Sequence, residues 1–172
     1  MSPAYFWSKF FISFQAQLHS KSWCLQYQRE PVGWSPIRQN KKSSQKDIYR
    51  KARELPHIID PEYAANDHWV VRVHCLDNTS IIGRHFDAKD IIFQHGVTVG
   101  EFEGGNLLTW NSSGVVIEMN VRNQIVKLDG RLHHAVTPII SGIRYSLYYF
   151  KSYDPLINEP TPIFEPAVII KT

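Results

Sequence analysis

The chain has 172 residues, of which 43% are hydrophobic and 13% aromatic, and its formal net charge is +3. This size and apolar content predict one compact domain with a hydrophobic core, and leave too little chain for two domains of ordinary size. The two cysteines, Cys24 and Cys75, are too few for a disulfide framework, which excludes a small disulfide-stabilised fold. The sequence has no run of about 20 apolar residues that would span a membrane. We therefore expect a soluble, intracellular protein of the nucleus or cytoplasm.

Basic residues are concentrated in one segment before the middle of the chain. Residues 38–54 contain seven Lys/Arg and two acidic residues, a balance of +5, whereas residues 55–172 contain nine and thirteen, a balance of −4. Ser43 or Ser44 is a suitable N-cap, so the basic segment is predicted to form a helix. A charged helix of this kind is usually a solvated face, and the alternative is an arm that contacts nucleic-acid phosphates. The candidate phosphate contacts are Lys41, Lys42, Lys46, Arg50, Lys51 and Arg53.

Short β-rich segments follow from about Trp69 onward. Turn sequences such as DNT, EFEGG, NSSG and DG separate them, which indicates strands joined by tight connections. The eight segments are WVVRVHCL, SIIGRHFD, IIFQHGVTVG, LLTW, VVIEM, QIVKL, LHHAV and IRYSLYYF. Their number and spacing favour a sandwich, jelly roll or barrel over alternating strands and helices.

The chain is therefore predicted to have three parts. Residues 1–54 form an N-terminal extension that includes the basic helix, residues 55–154 form the β-rich core, and residues 155–172 form a proline-rich tail. We expect the tail to lie across the surface of the core.

Two adjacent histidines in the segment LHHAV must point to opposite faces if the segment is a strand. His134 shares its face with Leu132 and Val136, the apolar residues that should point inward. His133 lies on the other face. His134 is therefore the predicted inward histidine.

A histidine and an aspartate in GRHFD provide the second chemical signal. His85 and Asp87 are two residues apart, so on a strand they project from the same face and can bind one metal ion together. Two imidazoles and one carboxylate, with the other coordination positions open, form the ligand set of non-heme Fe(II) oxygenases. The candidate ligands are His85, Asp87 and His134. The alternative is structural: a surface strand pair and a histidine satisfied in the core.

An arginine and a serine follow on the last predicted strand. Arg144 and Ser146 are also two residues apart, so they share a face. Arg144 is suited to hold the distal carboxylate of a co-substrate that chelates the metal at its other end, and Ser146 would add a hydrogen bond. The alternative is that Arg144 is a surface cation. His74 and His95 lack the spacing of a ligand set and are predicted to be structural.

These motifs together resemble the Fe(II)/2-oxoglutarate-dependent dioxygenases. The resemblance covers about residues 68–152 and includes GEFEGGNLLTW, LDGRLHHAVTP and SGIRYSLYYF, besides H-x-D at His85–Asp87, the distal His134 and R-x-S at Arg144–Ser146. It implies a double-stranded β-helix, a cupin-like jelly roll, that binds Fe(II), 2-oxoglutarate and O2. It further implies oxidative decarboxylation of 2-oxoglutarate to succinate and CO2, coupled to hydroxylation of a substrate.

Two positions bear on the branch of this superfamily. Arg144 stands where collagen-type prolyl hydroxylases usually have lysine, and Phe150 stands where the alkylated-base repair branch has a second arginine. The pattern looks more like the prolyl hydroxylase-like proteins or the TET and J-binding-protein dioxygenases. That implies a modified nucleic-acid base or a protein side chain as substrate. The alternatives are a cupin-like metal protein without 2-oxoglutarate and a catalytically degenerate binding module of the same fold.

Overall fold

The computed structural model describes residues 52–65, 69–152 and 159–170, which contain two helices and ten strands. Helix α1 includes residues 52–59, and helix α2 spans Pro61–Ala64. The strands are β1 Val70–Leu76, β2 Gln94–Val99, β3 Phe102–Gly104, β4 Leu107–Trp110, β5 Val116–Met119, β6 Gln124–Leu128, β7 His134–Val136, β8 Ile139–Gly142, β9 Arg144–Phe150 and β10 Val168–Ile170.

All the strand pairs are antiparallel and form three sheets. The large sheet has the order β1-β9-β2-β6-β10, a smaller sheet has the order β5-β4-β7, and β3 pairs with β8. In the large sheet β9 lies between β1 and β2, so the chain returns beside strands formed much earlier. The mostly β fold predicted from the segment spacing is confirmed, and so is the jelly roll that the resemblance implies.

The large sheet buries both of its faces. On one face, Ala52 and Leu55 of α1 pack into a core cluster with alternate residues of the strands, among them Val71, Val97, Leu147 and Tyr149. On the other face, Val126 and Leu128 pack against Leu107 and Met119 of the smaller sheet. The strand register places Arg72, His74, Ser146 and Tyr148 on this second face. The space between the two sheets therefore contains polar as well as apolar side chains.

Asp60 separates the two helices. Its backbone is extended, and its side chain accepts a hydrogen bond from the Tyr63 amide at 2.9 Å, which caps α2 in front of Pro61. Neither helix has the length and apolar character to cross a lipid bilayer in the described part of the chain. Residues 52–54 of the predicted basic segment are helical, whereas its residues 38–51 lie outside the described residues.

The prediction that the segment SIIGRHFD forms a strand is wrong. Residues 80–84 and 86–87 are irregular, and His85 forms only an isolated bridge to His134. Ile81 is 92% exposed and therefore contributes no packing that would hold the segment as a strand. The segment runs beside β7 and shares backbone hydrogen bonds with it at Ile82 and His85 without forming a ladder.

The described C-terminal residues, 159–170, are hydrogen-bonded to the core and do not merely lie across its surface. Strand β10 pairs with β6 and extends the large sheet. The Thr161 amide donates to the Ile91 carbonyl at 2.8 Å, and the Phe164 amide donates to Asp129 Oδ2 at 2.9 Å. Described residues of the predicted tail are thus part of the folded unit.

We predict that Leu55→Ala lowers the free energy of unfolding by about 2–5 kcal/mol, because it leaves a cavity between α1 and the large sheet. Leu55 is fully buried in the core cluster, whereas Ile58 on the same helix is 45% exposed. Ile58→Ala is therefore the matched control and should cost much less. Urea denaturation monitored by circular dichroism would measure both variants, and equal losses would contradict the packing of α1 described above.

Candidate metal centre

Three predicted ligands lie together at the edge of the space between the sheets. His85, Asp87 and His134 each offer one ligand atom, and these atoms all lie within 4.8 Å of one another. Nε2 of His134 is 3.7 Å from Oδ2 of Asp87, and the two imidazole centroids are 4.2 Å apart. His134 is only 9% exposed, whereas His85 is exposed at the rim. The structure therefore brings the three residues close enough to bind one ion.

Backbone hydrogen bonds bring the ligands together. The His85 amide donates to the His134 carbonyl at 3.0 Å, and the His134 amide donates to the His85 carbonyl at 2.8 Å. Two residues further on, the Asp87 amide donates to the Gly130 carbonyl at 2.7 Å. These bonds fix the loop that carries His85 and Asp87 to the segment that leads into β7.

The other ring nitrogen of each histidine is occupied by the backbone. Nδ1 of His85 is 2.8 Å from the Gly83 carbonyl, and Nδ1 of His134 is 3.0 Å from the Leu132 carbonyl. A carbonyl oxygen only accepts, so each Nδ1 must carry a proton, which leaves Nε2 as the atom of each ring that can bind a metal. Burial lowers the pKa of His134, although the bond to Leu132 opposes this effect, so the imidazole is neutral at neutral pH.

Gln94 holds the carboxylate ligand, a role that the sequence did not reveal. Its Nε2 donates to Asp87 Oδ2 at 2.7 Å and to Asp90 Oδ2 at 2.6 Å. Asp90 is buried, and burial raises the pKa of its carboxyl to about 7. Gly130 packs against this amide so closely that a Cβ atom there would overlap Gln94. The Gln94 amide thus lies between the carboxyl groups of Asp87 and Asp90, which would otherwise repel each other, and orients Asp87.

The donor set fits a divalent transition metal. Two imidazoles and one carboxylate on a single rim leave positions open for other ligands, which is the set used by non-heme Fe(II) sites. Each ligand side chain also makes a hydrogen bond to the protein: the two histidines bond backbone carbonyls, and Asp87 bonds the Gln94 amide. Such bonds are usual for metal-binding histidines and carboxylates.

A cavity of about 260 Å³ extends inward from the three ligands. Its apolar wall includes Ile82, Leu107, Val136 and Phe150, and its polar wall includes Arg72, His74, Gln94 and Tyr148. This volume lies slightly below the usual range for pockets that hold drug-sized molecules, so it suits a small ligand.

His74 lies in the wall of this cavity, contrary to the prediction that it is structural. Its ring centroid is 5.4 Å from that of Tyr148. Burial, together with the charges of Arg72 and Arg144, lowers the pKa of His74 to about 4, so the ring is neutral at neutral pH. His95, in contrast, is buried outside the cavity and pairs with Asp60 at 3.1 Å, as expected for a structural histidine.

Arg144 and Ser146 lie on the inner face of β9 but do not line the cavity. Arg144 is 1% exposed, and its Nε and Nη1 are buried without hydrogen-bond partners. Its Nη2 lies 3.4 Å from the Tyr148 hydroxyl, and Tyr148 does line the cavity. Ser146 is fully buried, with its Oγ 3.3 Å from Oγ1 of Thr98. A buried guanidinium with orphaned nitrogens requires an explanation, because such groups are nearly always paired.

Most of the predicted phosphate contacts cannot be located. Lys41, Lys42, Lys46, Arg50 and Lys51 lie outside the described residues. Arg53 lies on α1 with its guanidinium carbon 5.6 Å from the centre of the Trp69 ring. The nucleic-acid arm therefore stays a prediction.

Replacing Gln94 by leucine should weaken metal binding by about 10–100-fold, because Asp87 would lose its amide donor while the side-chain volume stays similar. Gln124→Leu, at an exposed position on β6, is the matched control. Competition titrations with Fe(II) under anaerobic conditions would measure both affinities. If the Gln94 variant folds and binds as tightly as the control, the amide does not position the ligand.

Comparisons with known proteins agree with this architecture. No family model and no curated protein sequence matches the chain. Among solved structures it is similar to a prolyl-4-hydroxylase from Pseudomonas putida, with a TM-score of 0.54 and 17% identity over 85% of this chain and 82% of that one. It is also similar to a 2OG-Fe(II) oxygenase-family protein from Burkholderia pseudomallei (TM-score 0.48, 19% identity, 63% of this chain), of which it spans only 57%. The chain is also similar to a C-terminally truncated protein from Neurospora crassa, with a TM-score of 0.49 and 12% identity over 89% of this chain and 79% of that one. The predicted resemblance is thus confirmed for the fold: the chain has the jelly-roll fold of the Fe(II)/2-oxoglutarate oxygenases.

Proposed function

We propose that the chain is an Fe(II)- and 2-oxoglutarate-dependent oxygenase that hydroxylates a macromolecular substrate. One observation carries the proposal. The structure brings two histidines and an aspartate to one end of a cavity, and behind that cavity lies a buried arginine with two nitrogens that have no partner among the described residues. A metal would complete the first group of residues, and a carboxylate would complete the second.

The three ligands would hold Fe(II) through Nε2 of His85, Nε2 of His134 and the carboxylate of Asp87. With O2, bound Fe(II) supplies the chemistry that decarboxylates 2-oxoglutarate to succinate and CO2 and hydroxylates a C–H bond. The protein's part is to orient both imidazoles through their Nδ1–H bonds to backbone carbonyls, and to hold Asp87 through Gln94.

Arg144 would take the distal carboxylate of 2-oxoglutarate. Its orphaned nitrogens can donate to that group, and Tyr148, whose hydroxyl touches Arg144 and whose ring lines the cavity, would donate beside it. Such a bond would supply the counter-ion that the buried guanidinium lacks among the described residues. Ser146 would support this contact from behind with its hydroxyl.

The proposed substrate is a modified nucleic-acid base or a protein side chain. The metal end of the cavity reaches the surface beside Phe86, which is 53% exposed, so a group that projects from a larger molecule can enter there. A base would have to be unpaired or extruded from its duplex to reach the ligands. The aromatic ring of Phe86 offers such a group a surface to stack on.

We predict a metal-to-ligand charge-transfer band when 2-oxoglutarate is added to the Fe(II)-loaded protein without oxygen. His134→Ala and Asp87→Ala should abolish the band, because each removes a ligand. His133→Ala is the matched control and should leave the band nearly intact, since the His133 ring packs on Phe86 and is not one of the three converging ligands. Loss of the band in the His133 variant alone would show that the wrong histidine has been assigned.

Arg144→Met should leave Fe(II) binding close to normal and weaken 2-oxoglutarate binding by about 2–5 kcal/mol, because the distal carboxylate would lose its charged partner. Ser146→Ala should cost about 1 kcal/mol, the usual contribution of one hydrogen bond. Titration of the charge-transfer band with 2-oxoglutarate gives both values. Equal affinity in the wild type and in Arg144→Met would instead favour a cupin-like metal protein that does not use 2-oxoglutarate.

A further inference from the structure

A second inward-pointing arginine belongs to the wall of the same cavity. Arg72 on β1 lines the cavity directly, unlike Arg144. Its Nε is buried and has no hydrogen-bond partner, and no carboxylate of the described residues forms an ion pair with it. Its guanidinium carbon lies 5.2 Å from the centre of the Phe150 ring, which also lines the cavity. A cation held against an aromatic wall without a counter-ion is arranged to receive an anion.

A third arginine shows how the chain satisfies a structural guanidinium. Arg131 binds Asp129 through two parallel hydrogen bonds of 2.8 and 2.6 Å. It also donates to the carbonyls of Ile91, Thr161 and Pro162. Arg72 makes no hydrogen bond of this kind among the described residues, so it does not serve to join segments of the fold.

The strand register separates Arg72 from Arg144. Arg72 pairs with Tyr148, whereas Arg144 pairs with Leu76, four residues further along β1. Their backbones are therefore about 13 Å apart along the sheet. Tyr148 also pairs with Gly96, which is only two residues from Gln94, the residue that holds Asp87. Arg72 is thus near the metal end of the cavity, whereas Arg144 lies outside the cavity lining, four residues from Tyr148 along β9.

The charged and polar groups around Arg72 leave its guanidinium available to bind a ligand. Asp90 acts on it through charge, but its carboxylate already accepts the Gln94 amide. His74 carries no charge at neutral pH. Lys89 lines the cavity as a second cation, and Ser152 adds a hydroxyl. Besides the metal ligands and the carboxyl group of Asp90, this end of the cavity therefore offers cationic and neutral donors.

We infer that Arg72 binds an oxyanion of the substrate, a carboxylate or a phosphate, beside the carbon that is hydroxylated. The inference deepens the proposed function and rests on it, since 2-oxoglutarate would extend from the metal to Arg144 and leave Arg72 to another ligand. A guanidinium suits both groups because it presents two parallel N–H donors to a pair of oxygens. The substrate is therefore an anionic molecule, or an anionic part of one.

Anion binding can be measured on the full-length, metal-free protein labelled uniformly with 15N. Inorganic phosphate and acetate are titrated separately at constant ionic strength, so that general screening stays fixed. The readouts are the Nε–H resonance of Arg72, assigned by its absence in Arg72→Gln, and the backbone amide of Phe150. We expect a saturable shift with at least one anion. A shift with phosphate alone identifies a phosphate-bearing substrate, and a shift with acetate alone identifies a carboxylate.

Arg72→Gln should weaken this binding at least about tenfold, as expected when a charged hydrogen-bond donor is lost. Arg84→Gln removes an equal charge from an exposed residue that packs on Trp110, and it should change the affinity less than twofold. Arg72→Lys keeps the charge with one donor group and should give an intermediate affinity, which provides a second test if the glutamine variant does not fold. The inference is overturned if neither anion gives a saturable shift, or if both neutral variants weaken binding equally.

The charge-transfer band separates this inference from the function it rests on. In Arg72→Gln the band that depends on 2-oxoglutarate should persist with an affinity within about threefold of the wild type. Loss of the band in that variant, together with its retention in Arg144→Met, would assign Arg72 to the co-substrate and overturn the inference. Absence of the band in the wild type would instead overturn the proposed function, while the metal-free titration would still report on the anion site.

Discussion

The candidate site depends on two reciprocal backbone hydrogen bonds between His85 and His134. The residues are far apart in sequence, and one belongs to an irregular loop while the other begins β7. The two bonds place the imidazoles side by side, and the bond from Asp87 to the Gly130 carbonyl adds the carboxylate. The loop's other contacts with the smaller sheet are the Val136 amide on the Ile82 carbonyl and Arg84 on the Trp110 ring, while Ile81 is exposed.

The inward-facing charged side chains of the fold are of two kinds, those with an ion-pair partner and those without one among the described residues. Asp129 and Arg131 neutralise each other and hold the C-terminal residues against the core, and the arginine keeps the pKa of Asp129 low although burial opposes it. Arg72 and Arg144 have no such partners among the described residues. Arg144 is fully buried, and an unpaired buried cation is destabilising by itself, so its presence is best explained by a ligand that completes it. Arg72 is partly buried, and its buried Nε likewise lacks a partner among the described residues. The same physical argument therefore supports the co-substrate contact and the substrate anion.

The alternation of side chains between the two faces of a strand explains which parts of the site the sequence could predict. The two-residue spacing of Arg144 and Ser146 and the adjacency of His133 and His134 determine which side chains share a face, and β7 and β9 form as expected. His85 and Asp87 were paired for the wrong reason, since their segment is a loop and not a strand. Gln94, His74 and Tyr148 were not identified because their contacts depend on how β1, β2 and β9 lie side by side. No local pattern records that arrangement.

The most direct test of the central claim is oxygen-dependent formation of succinate by the full-length protein. With equimolar Fe(II) and excess 2-oxoglutarate, admission of O2 should yield succinate and CO2 even without the substrate, detected by mass spectrometry and by release of labelled CO2. Asp87→Ala should form neither product, because one of its three metal ligands is missing. If the wild type binds Fe(II) in its native fold but forms no more succinate than Asp87→Ala, the chain is not a 2-oxoglutarate oxygenase.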